Sequence, residues 1–172
     1  MNRDDEYDEE VTVLFRRYHG RLRGFLINVG AAPDVADDVV NFAFMQLRRR
    51  WAGLRTGRAD LYLHRVALNN LSRRQKSAMR EELRWDPPET PVIDTSANLI
   101  DRLVLRWALG QLPSREREAV TLRHYMGFNI AETAMIMDGI SEGAVKRYTS
   151  DSLRKLRKLL QDGTGTGDAE NQ

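Results

Sequence analysis

Residues 128 to 160 read FNIAETAMIMDGISEGAVKRYTSDSLRKLRKLL, and this is the most informative part of the chain. Residues 128–137 carry apolar side chains at helical spacing and predict one short amphipathic helix. The turn that follows contains Gly139, which can take a left-handed conformation. Ser141 is a residue type that caps helix N-termini, so a second helix is expected directly after it. Together these signals predict a helix-turn-helix.

The second helix of this motif carries the residues expected to contact DNA. Its predicted inward stripe consists of Val145, Thr149, Leu153, Leu156 and Leu160. That stripe turns the polar side chains of the N-terminal half outward, and this half of a recognition helix reaches base edges in the major groove. The predicted DNA-contacting residues are Glu142, Gly143, Lys146, Arg147, Ser150 and Arg154. A plain helical hairpin with a solvated basic end is the alternative that the pattern leaves open.

The rest of the chain predicts further helices, because apolar residues recur at spacings of three and four and sustained period-two alternation is scarce. The expected helices run from about Glu10 to Val29, Pro33 to Trp51, Ala59 to Lys76, Asn98 to Leu109 and Pro113 to Met126. Gly30 suits the C-terminal cap of the first of them. Residues 53–58 carry two glycines and two arginines, Arg55 and Arg58, and predict a mobile basic loop. The expected fold class is therefore all-α.

The charges divide the chain into blocks of opposite sign. Residues 11–80 carry fourteen Lys or Arg against four Asp or Glu, and residues 102–162 carry eleven against seven. Residues 1–10 and 81–101 are each acidic, with six Asp or Glu against one Arg. Two basic blocks that flank an acidic stretch are typical of two modules that face a polyanion.

Three prolines fall within residues 87–91, which favours an extended connector. We therefore expect two small helical domains joined by a flexible linker. The predicted segments are an acidic extension 1–10, a first domain 11–80, a linker 81–97, a second domain 98–162 and a disordered tail 163–172. Trp51 and Trp107 are expected to be core residues.

Composition excludes several classes of protein. The 172 residues contain no cysteine and three separated histidines, which leaves no disulfide, no thiolate zinc site and no cysteine nucleophile. We expect no cofactor and no metal. The acidic N-terminus does not resemble a signal peptide, and no apolar run approaches the length of about 20 residues that a membrane span requires. A cytoplasmic protein without membrane insertion is expected.

Two stretches resemble one known family. LPSREREAVTLRHYMGFNIAETAMIMDGISEGAVKRY (112–148) resembles region 4 of bacterial extracytoplasmic-function sigma factors, and residues 14–75 resemble their region 2. The resemblance implies promoter recognition at a minus-35 and a minus-10 element, with core RNA polymerase and promoter DNA as partners, and it allows an anti-sigma factor as a further partner. Residues 37–51 are similar to the helix that grips the polymerase clamp coiled coil, which implies contacts from Asp37, Asp38 and Asn41.

Residues 61–74, LYLHRVALNNLSRR, are similar to the minus-10 recognition helix of that family. Opening DNA there means unstacking bases and holding them against aromatic and polar groups in a basic groove. The residues expected to supply these groups are Arg55, Arg58, Tyr62, His64, Arg65, Asn69, Asn70, Arg73 and Arg74. No catalytic residue is expected, since placing polymerase and opening DNA need no bond-making side chain.

A DNA-binding regulator without polymerase and a helical enzyme are the competing interpretations of the sequence. A stand-alone helix-turn-helix repressor or activator would account for residues 112–160, but it leaves the first basic block without a task and usually requires a dimer. A helical phosphate-handling enzyme would need a glycine-rich cradle or a carboxylate cluster, and Asp37-Asp38 is the only acidic pair on the relevant helices.

Overall fold

A computed structural model describes residues 3–54, 57–81 and 97–164, and every regular element among them is helical. The helices are α1 (Arg3–Asn28), α2 (Pro33–Leu54), α3 (Ala59–Glu81), α4 (Ala97–Gly110), α5 (Ser114–Val120), α6 (Ile130–Ile136) and α7 (Glu142–Thr164). A π-helical turn, Thr121–Tyr125, continues α5. The all-α prediction is confirmed. The proposed linker lies almost wholly outside the described residues, as does Arg55.

The N-terminal half, α1 to α3, packs as three helices around an apolar core. Its fully buried side chains include Leu22, Phe25, Leu26, Val39, Val40, Leu47 and Leu63. The chain reverses between α1 and α2 at Gly30, whose φ of +106° is open to glycine at little cost. Trp51 is buried as expected, and its indole Nε1 donates to Glu10.

The acidic N-terminal segment is part of α1 in this half. The helix begins at Arg3 rather than near Glu10, and the carboxylate of Asp8 forms an ion pair with Arg48 on α2. The hydrogen bond from Arg48 holds the pKa of Asp8 below its ordinary value. These contacts fix the described part of the segment against the basic C-terminal end of α2.

The C-terminal half, α4 to α7, has a smaller core of its own made of Ala108, Leu109, Leu112, Val120 and Leu156. The predicted inward stripe of α7 is partly wrong, because Leu153 and Leu160 are exposed. Ser152 takes the inward position instead, and its hydroxyl donates to the carbonyl of Glu116 on α5 at 2.9 Å. The prediction that Trp107 is a core residue is also wrong. Its side chain is 53% exposed, because α4 turns Ala108 and Leu109 toward the core.

The two halves pack against each other through one continuous apolar cluster. Leu122, Phe128, Ile136 and Met137 of the C-terminal half are buried in the same cluster as the core of α1 to α3. No helix of the described chain is both long and apolar enough to cross a membrane.

His64 lies inside this contact, so its prediction as a DNA-facing residue is wrong. It is 1% exposed, between Phe25 of α1 and Phe128 of the C-terminal half, with ring centroids at 5.4 and 4.9 Å. Its Nδ1 donates to the carbonyl of Asp60 at 2.7 Å, and its Nε2 has no hydrogen-bond partner among the described residues. The side chain fills the interface between the halves.

Acidification is expected to weaken the fold through His64. Burial, aided by the charge of Arg21, lowers the pKa of this imidazole to about 4, against an ordinary value of 6.5. The unfolded chain therefore takes up the proton first, and the free energy of unfolding falls as the pH drops from about 6.5 toward 4. The expected loss between pH 7 and pH 5 is on the order of 2 kcal/mol.

Urea denaturation across this pH range measures the loss. His64→Gln should flatten the pH dependence of the free energy of unfolding. Equal slopes for wild type and His64→Gln would contradict the assignment.

Candidate nucleic-acid interface

The helix-turn-helix is held by hydrogen bonds that its own sequence supplies. Asn129 and Glu132 form a capping box at the start of α6: the Glu132 amide donates to Asn129 Oδ1 at 2.9 Å, and the Asn129 amide donates to Glu132 Oε2 at 2.8 Å. The turn passes through Asp138 and Gly139 with φ of +28° and +82°. The Ala144 amide donates to Ser141 Oγ at 3.2 Å, which confirms the predicted cap of α7.

The predicted DNA-contacting residues of α7 all lie on its exposed face. These exposed residues are Glu142, Gly143, Lys146, Arg147, Ser150 and Arg154. Arg154 forms an ion pair with Asp151, and the Arg147 guanidinium lies 5.3 Å from the ring centroid of Tyr148. Within the described chain no carboxylate lies within ion-pair distance of Lys146 or Arg147. Both cations therefore remain available for an external anion.

A second basic surface lies in an open cleft of about 500 Å³ between α2 and α3. The lining residues are Phe42, Gln46, Arg50, Tyr62, Arg65, Val66, Asn69 and Arg73. The cleft combines two aromatic rings, two side-chain amides and three guanidinium groups. This is the chemistry that an unstacked base and its flanking phosphates require.

The cleft brings together Tyr62, Arg65, Asn69 and Arg73 of the predicted minus-10 set. Sequence reasoning missed the α2 wall of this cleft, formed by Phe42, Gln46 and Arg50. Those three residues recur at a spacing of four, so the sequence does predict that they share one face of α2. The sequence does not show that this face lies opposite α3.

Asn70 and Arg74 of α3, also in the predicted minus-10 set, lie beside the face of α2 that carries Asp37, Asp38 and Asn41. Arg74 Nε donates to Asn70 Oδ1 at 2.9 Å, and its Nη1 lies 3.3 Å from the carboxylate of Asp38. Asp38 and Asn41 are exposed, and Asp37 is half-exposed. Arg23 pairs with Asp37 at 2.6 Å, and this hydrogen bond lowers the pKa of the Asp37 carboxyl. Both carboxylates therefore already have a cation within the chain.

Arg58 lies at the start of α3 and binds two carboxylates. Its guanidinium contacts Asp60 at 2.8 Å and Glu132 of α6 at 2.6 Å. The hydrogen bonds that Arg58 donates to these two acids raise the pKa of Arg58, and the bond from Arg58 lowers the pKa of Asp60. Glu132 has a lowered pKa because it accepts the backbone bond from Asn129 and the bond from Arg58.

No group of three or more His, Asp or Glu side chains within the described ranges is arranged to hold a metal ion. Among the predicted DNA contacts, the described residues form two basic surfaces, the exposed face of α7 and the cleft between α2 and α3, and the cleft adds amide and aromatic groups.

The sequence of the chain is similar to those of known RNA polymerase sigma factors. The family Sigma-70, region 4 matches residues 108–158. The RNA polymerase sigma-E factor of Streptomyces antibioticus is 32% identical over 136 residues, which cover 77% of this chain and 75% of that protein. The ECF RNA polymerase sigma factor SigL of Mycobacterium tuberculosis is 30% identical over 161 residues, covering 91% of this chain and 87% of the relative.

Among solved structures, the sigma factor RpoE in complex with the anti-sigma factor NepR from Bartonella quintana superposes with a TM-score of 0.75 at 21% sequence identity. The match covers 91% of this chain and 97% of RpoE. It extends the agreement to the fold of nearly the whole chain.

Proposed function

The chain belongs to the family of extracytoplasmic-function (ECF) RNA polymerase sigma factors, and from this premise we propose how its two basic surfaces divide the work. The N-terminal half of α7 reads the minus-35 element. The cleft between α2 and α3 holds the opened minus-10 element. The chain thereby directs core RNA polymerase to a specific set of promoters and helps to melt them.

The presence of both surfaces in one chain is the observation that carries this proposal. A helix-turn-helix repressor would bind DNA through the exposed face of α7 alone. It would not use a second basic cleft with an aromatic wall. The cleft is open to solvent and large enough for a flat base, and Tyr62 supplies a ring on which that base can stack. The stand-alone repressor or activator is therefore not favoured.

We propose that both surfaces act only by binding DNA. Bases are unstacked at a cost of a few kcal/mol per step and held by stacking, amide contacts and phosphate contacts. No side chain has to make or break a bond, so we expect no catalytic residue.

We propose residues 11–80 as the region 2 domain and residues 98–162 as the region 4 domain, with the acidic segment 1–10, the linker 81–97 and the tail 163–172 around them. The Bartonella quintana relative was solved with an anti-sigma factor, and we propose a protein inhibitor of that class as a further partner here.

The proposed polymerase contact lies on α2 at Asp37, Asp38 and Asn41. Charge reversal by Asp37→Arg with Asp38→Arg is expected to weaken binding to core polymerase at least about tenfold, because the two carboxylates, each paired at the surface with an arginine of this chain, also present negative charge to a basic clamp surface. Fluorescence anisotropy with labelled chain and purified core enzyme measures the affinity.

The matched control for this experiment is Glu9→Arg with Asp101→Arg, which makes the same charge change at exposed positions away from this face. The control should keep the wild-type affinity. Undiminished core binding by the Asp37/Asp38 variant would move the polymerase contact to another face.

A further inference from the structure

The middle of α1 carries several arginines and no acid. No Asp or Glu occurs between Glu10 and Asp34, whereas the same stretch contains four arginines. One of them, Arg23, is paired with Asp37. The other three are exposed, and we call them the α1 basic face: Arg16, Arg17 and Arg21.

The acids of the neighbouring segments do not neutralise this face. Four aspartates of the N-terminal half are paired with other arginines, in the pairs Asp8–Arg48, Asp37–Arg23, Asp38–Arg74 and Asp60–Arg58. Within the described ranges, no carboxylate forms an ion pair with an arginine of the α1 basic face. The Arg17 guanidinium lies 5.4 Å from the centroid of the Tyr18 ring, a contact that leaves its charge in place. The three charges are therefore available to an external anion.

A glycine lies in the middle of the α1 basic face. Gly20 is three and four residues after Arg17 and Arg16, so it neighbours both on the helix surface. It is exposed, and a Cβ atom there would meet nothing within 4 Å. Glycine inside a helix is unfavourable relative to alanine, because it loses more backbone entropy on folding. The packing of the described chain gives no reason for a glycine at this position.

Gly24, one helical turn later, is different. A Cβ atom there would lie 2.6 Å from the hydroxyl oxygen of Tyr125, so the fold itself requires a residue without a side chain. At Gly20 the open space is on the solvent side. A glycine in such a place allows the backbone of a ligand to approach the helix closely.

The chemistry of this face suits phosphate. Guanidinium groups bind phosphate oxygens through paired hydrogen bonds. Arg17 and Arg21 project on one side of Gly20 and Arg16 on the other, which leaves a shallow cationic saddle between them. A phosphate backbone placed in this saddle has cations on both sides and no side chain beneath it.

The α1 basic face also borders the helix that carries the proposed minus-10 contacts. Arg21 is close enough to His64 of α3 that its charge contributes to the lowered pKa of that imidazole. The next residue along α3, Arg65, lines the cleft between α2 and α3. The face and the cleft therefore belong to the same half of the chain and are separated by α3.

We propose that the α1 basic face is a third DNA-binding surface, which holds the phosphate backbone of the promoter duplex outside the two recognition elements. Its three arginines bind phosphate oxygens, and Gly20 lets the DNA backbone approach α1. Such contacts strengthen binding to every promoter and carry no sequence preference. The proposal rests on the proposed function, because that function brings promoter DNA to the chain.

Arg17→Gln with Arg21→Gln removes two charges of the face. The affinity of polymerase carrying the full-length chain for a promoter duplex is measured over a series of salt concentrations. The slope of log affinity against log salt should become shallower by about 2, since each lost phosphate contact accounts for about 0.9. At about 0.1 M salt the affinity should fall about tenfold, and equally on promoters of different sequence.

The matched control is Arg102→Gln with Arg106→Gln, which removes the same charge from exposed positions on α4. It should keep the wild-type slope. A wild-type slope in the Arg17/Arg21 variant would overturn the proposal while leaving the proposed function intact. A loss of core affinity with unchanged DNA affinity would also overturn it, because polymerase would then be the partner of this face. Failure of the wild type to form a promoter complex would overturn the proposed function as well.

Gly20→Leu fills the saddle and leaves its charges intact. Leucine favours a helix more than glycine does, so the melting temperature of the free chain should rise. The promoter affinity of the polymerase complex should nevertheless fall about fivefold, with core affinity unchanged, because the DNA backbone is held away from the arginines. Gly110→Leu, at an exposed glycine of α4 where a Cβ atom would also meet nothing within 4 Å, should leave promoter affinity unchanged. Wild-type promoter affinity in Gly20→Leu would overturn the close approach of DNA to α1.

Discussion

Replacing Lys146 and Arg147 together with alanine is expected to lower transcription from a cognate promoter about a hundredfold. Each lost contact to a base or its phosphate costs about 1 to 3 kcal/mol, and the two together give a factor of this size. Both side chains are exposed on the N-terminal half of α7, and neither has an acidic partner in the described chain. Their removal therefore leaves no buried charge and should not disturb the fold.

Run-off transcription with saturating core enzyme measures this loss, and core affinity is measured alongside it. Arg157→Ala with Lys158→Ala removes the same charge from exposed positions farther along α7. This control should weaken transcription modestly and equally on all promoters. Wild-type promoter use by the Lys146/Arg147 variant would place minus-35 recognition on another surface.

The second large effect is expected in the cleft between α2 and α3. Tyr62→Ala with Asn69→Ala should slow promoter opening about a hundredfold, because stacking on an aromatic ring contributes about 1 to 3 kcal/mol per base and the amide adds a hydrogen bond. Duplex binding through the minus-35 element should persist. Permanganate reactivity of thymines in the minus-10 element follows the opening step.

Tyr62→Phe is the matched control in this experiment, since it keeps the ring and removes only the hydroxyl. It should melt promoters at nearly the wild-type rate. If the Tyr62/Asn69 variant opens DNA as fast as the wild type, the cleft does not hold the unstacked base.

Local signals explain why the helix-turn-helix was predictable. Gly139 and Ser141 determine the turn and the cap through interactions within a few residues. The inward face of α7 was less predictable, because apolar periodicity favours Leu153. The structure turns Ser152 inward, where its hydroxyl finds a carbonyl on α5. The periodicity of apolar residues cannot identify a buried serine whose hydrogen-bond partner is distant in the sequence.

Contacts between distant segments account for the remaining differences. His64 follows a helical pattern that fits either a surface or an interface, and its burial depends on Phe128 of the other half. Gln46 and Arg50 form a cleft only because α3 lies beside α2. The closed packing of the two halves was likewise not predicted. The predicted flexible linker between two basic modules gives no reason to expect the Arg58–Glu132 and Arg65–Asp138 ion pairs between the halves.

Run-off transcription by purified core RNA polymerase on a promoter library tests the central claim most directly. With the full-length chain added, transcripts should arise from promoters that share one minus-35 and one minus-10 sequence, and core enzyme alone should give none of them. The same promoters should be lost with the Lys146/Arg147 variant. Absence of chain-dependent initiation, together with tight sequence-specific binding of duplex DNA by the free chain, would contradict the account and favour a simple repressor.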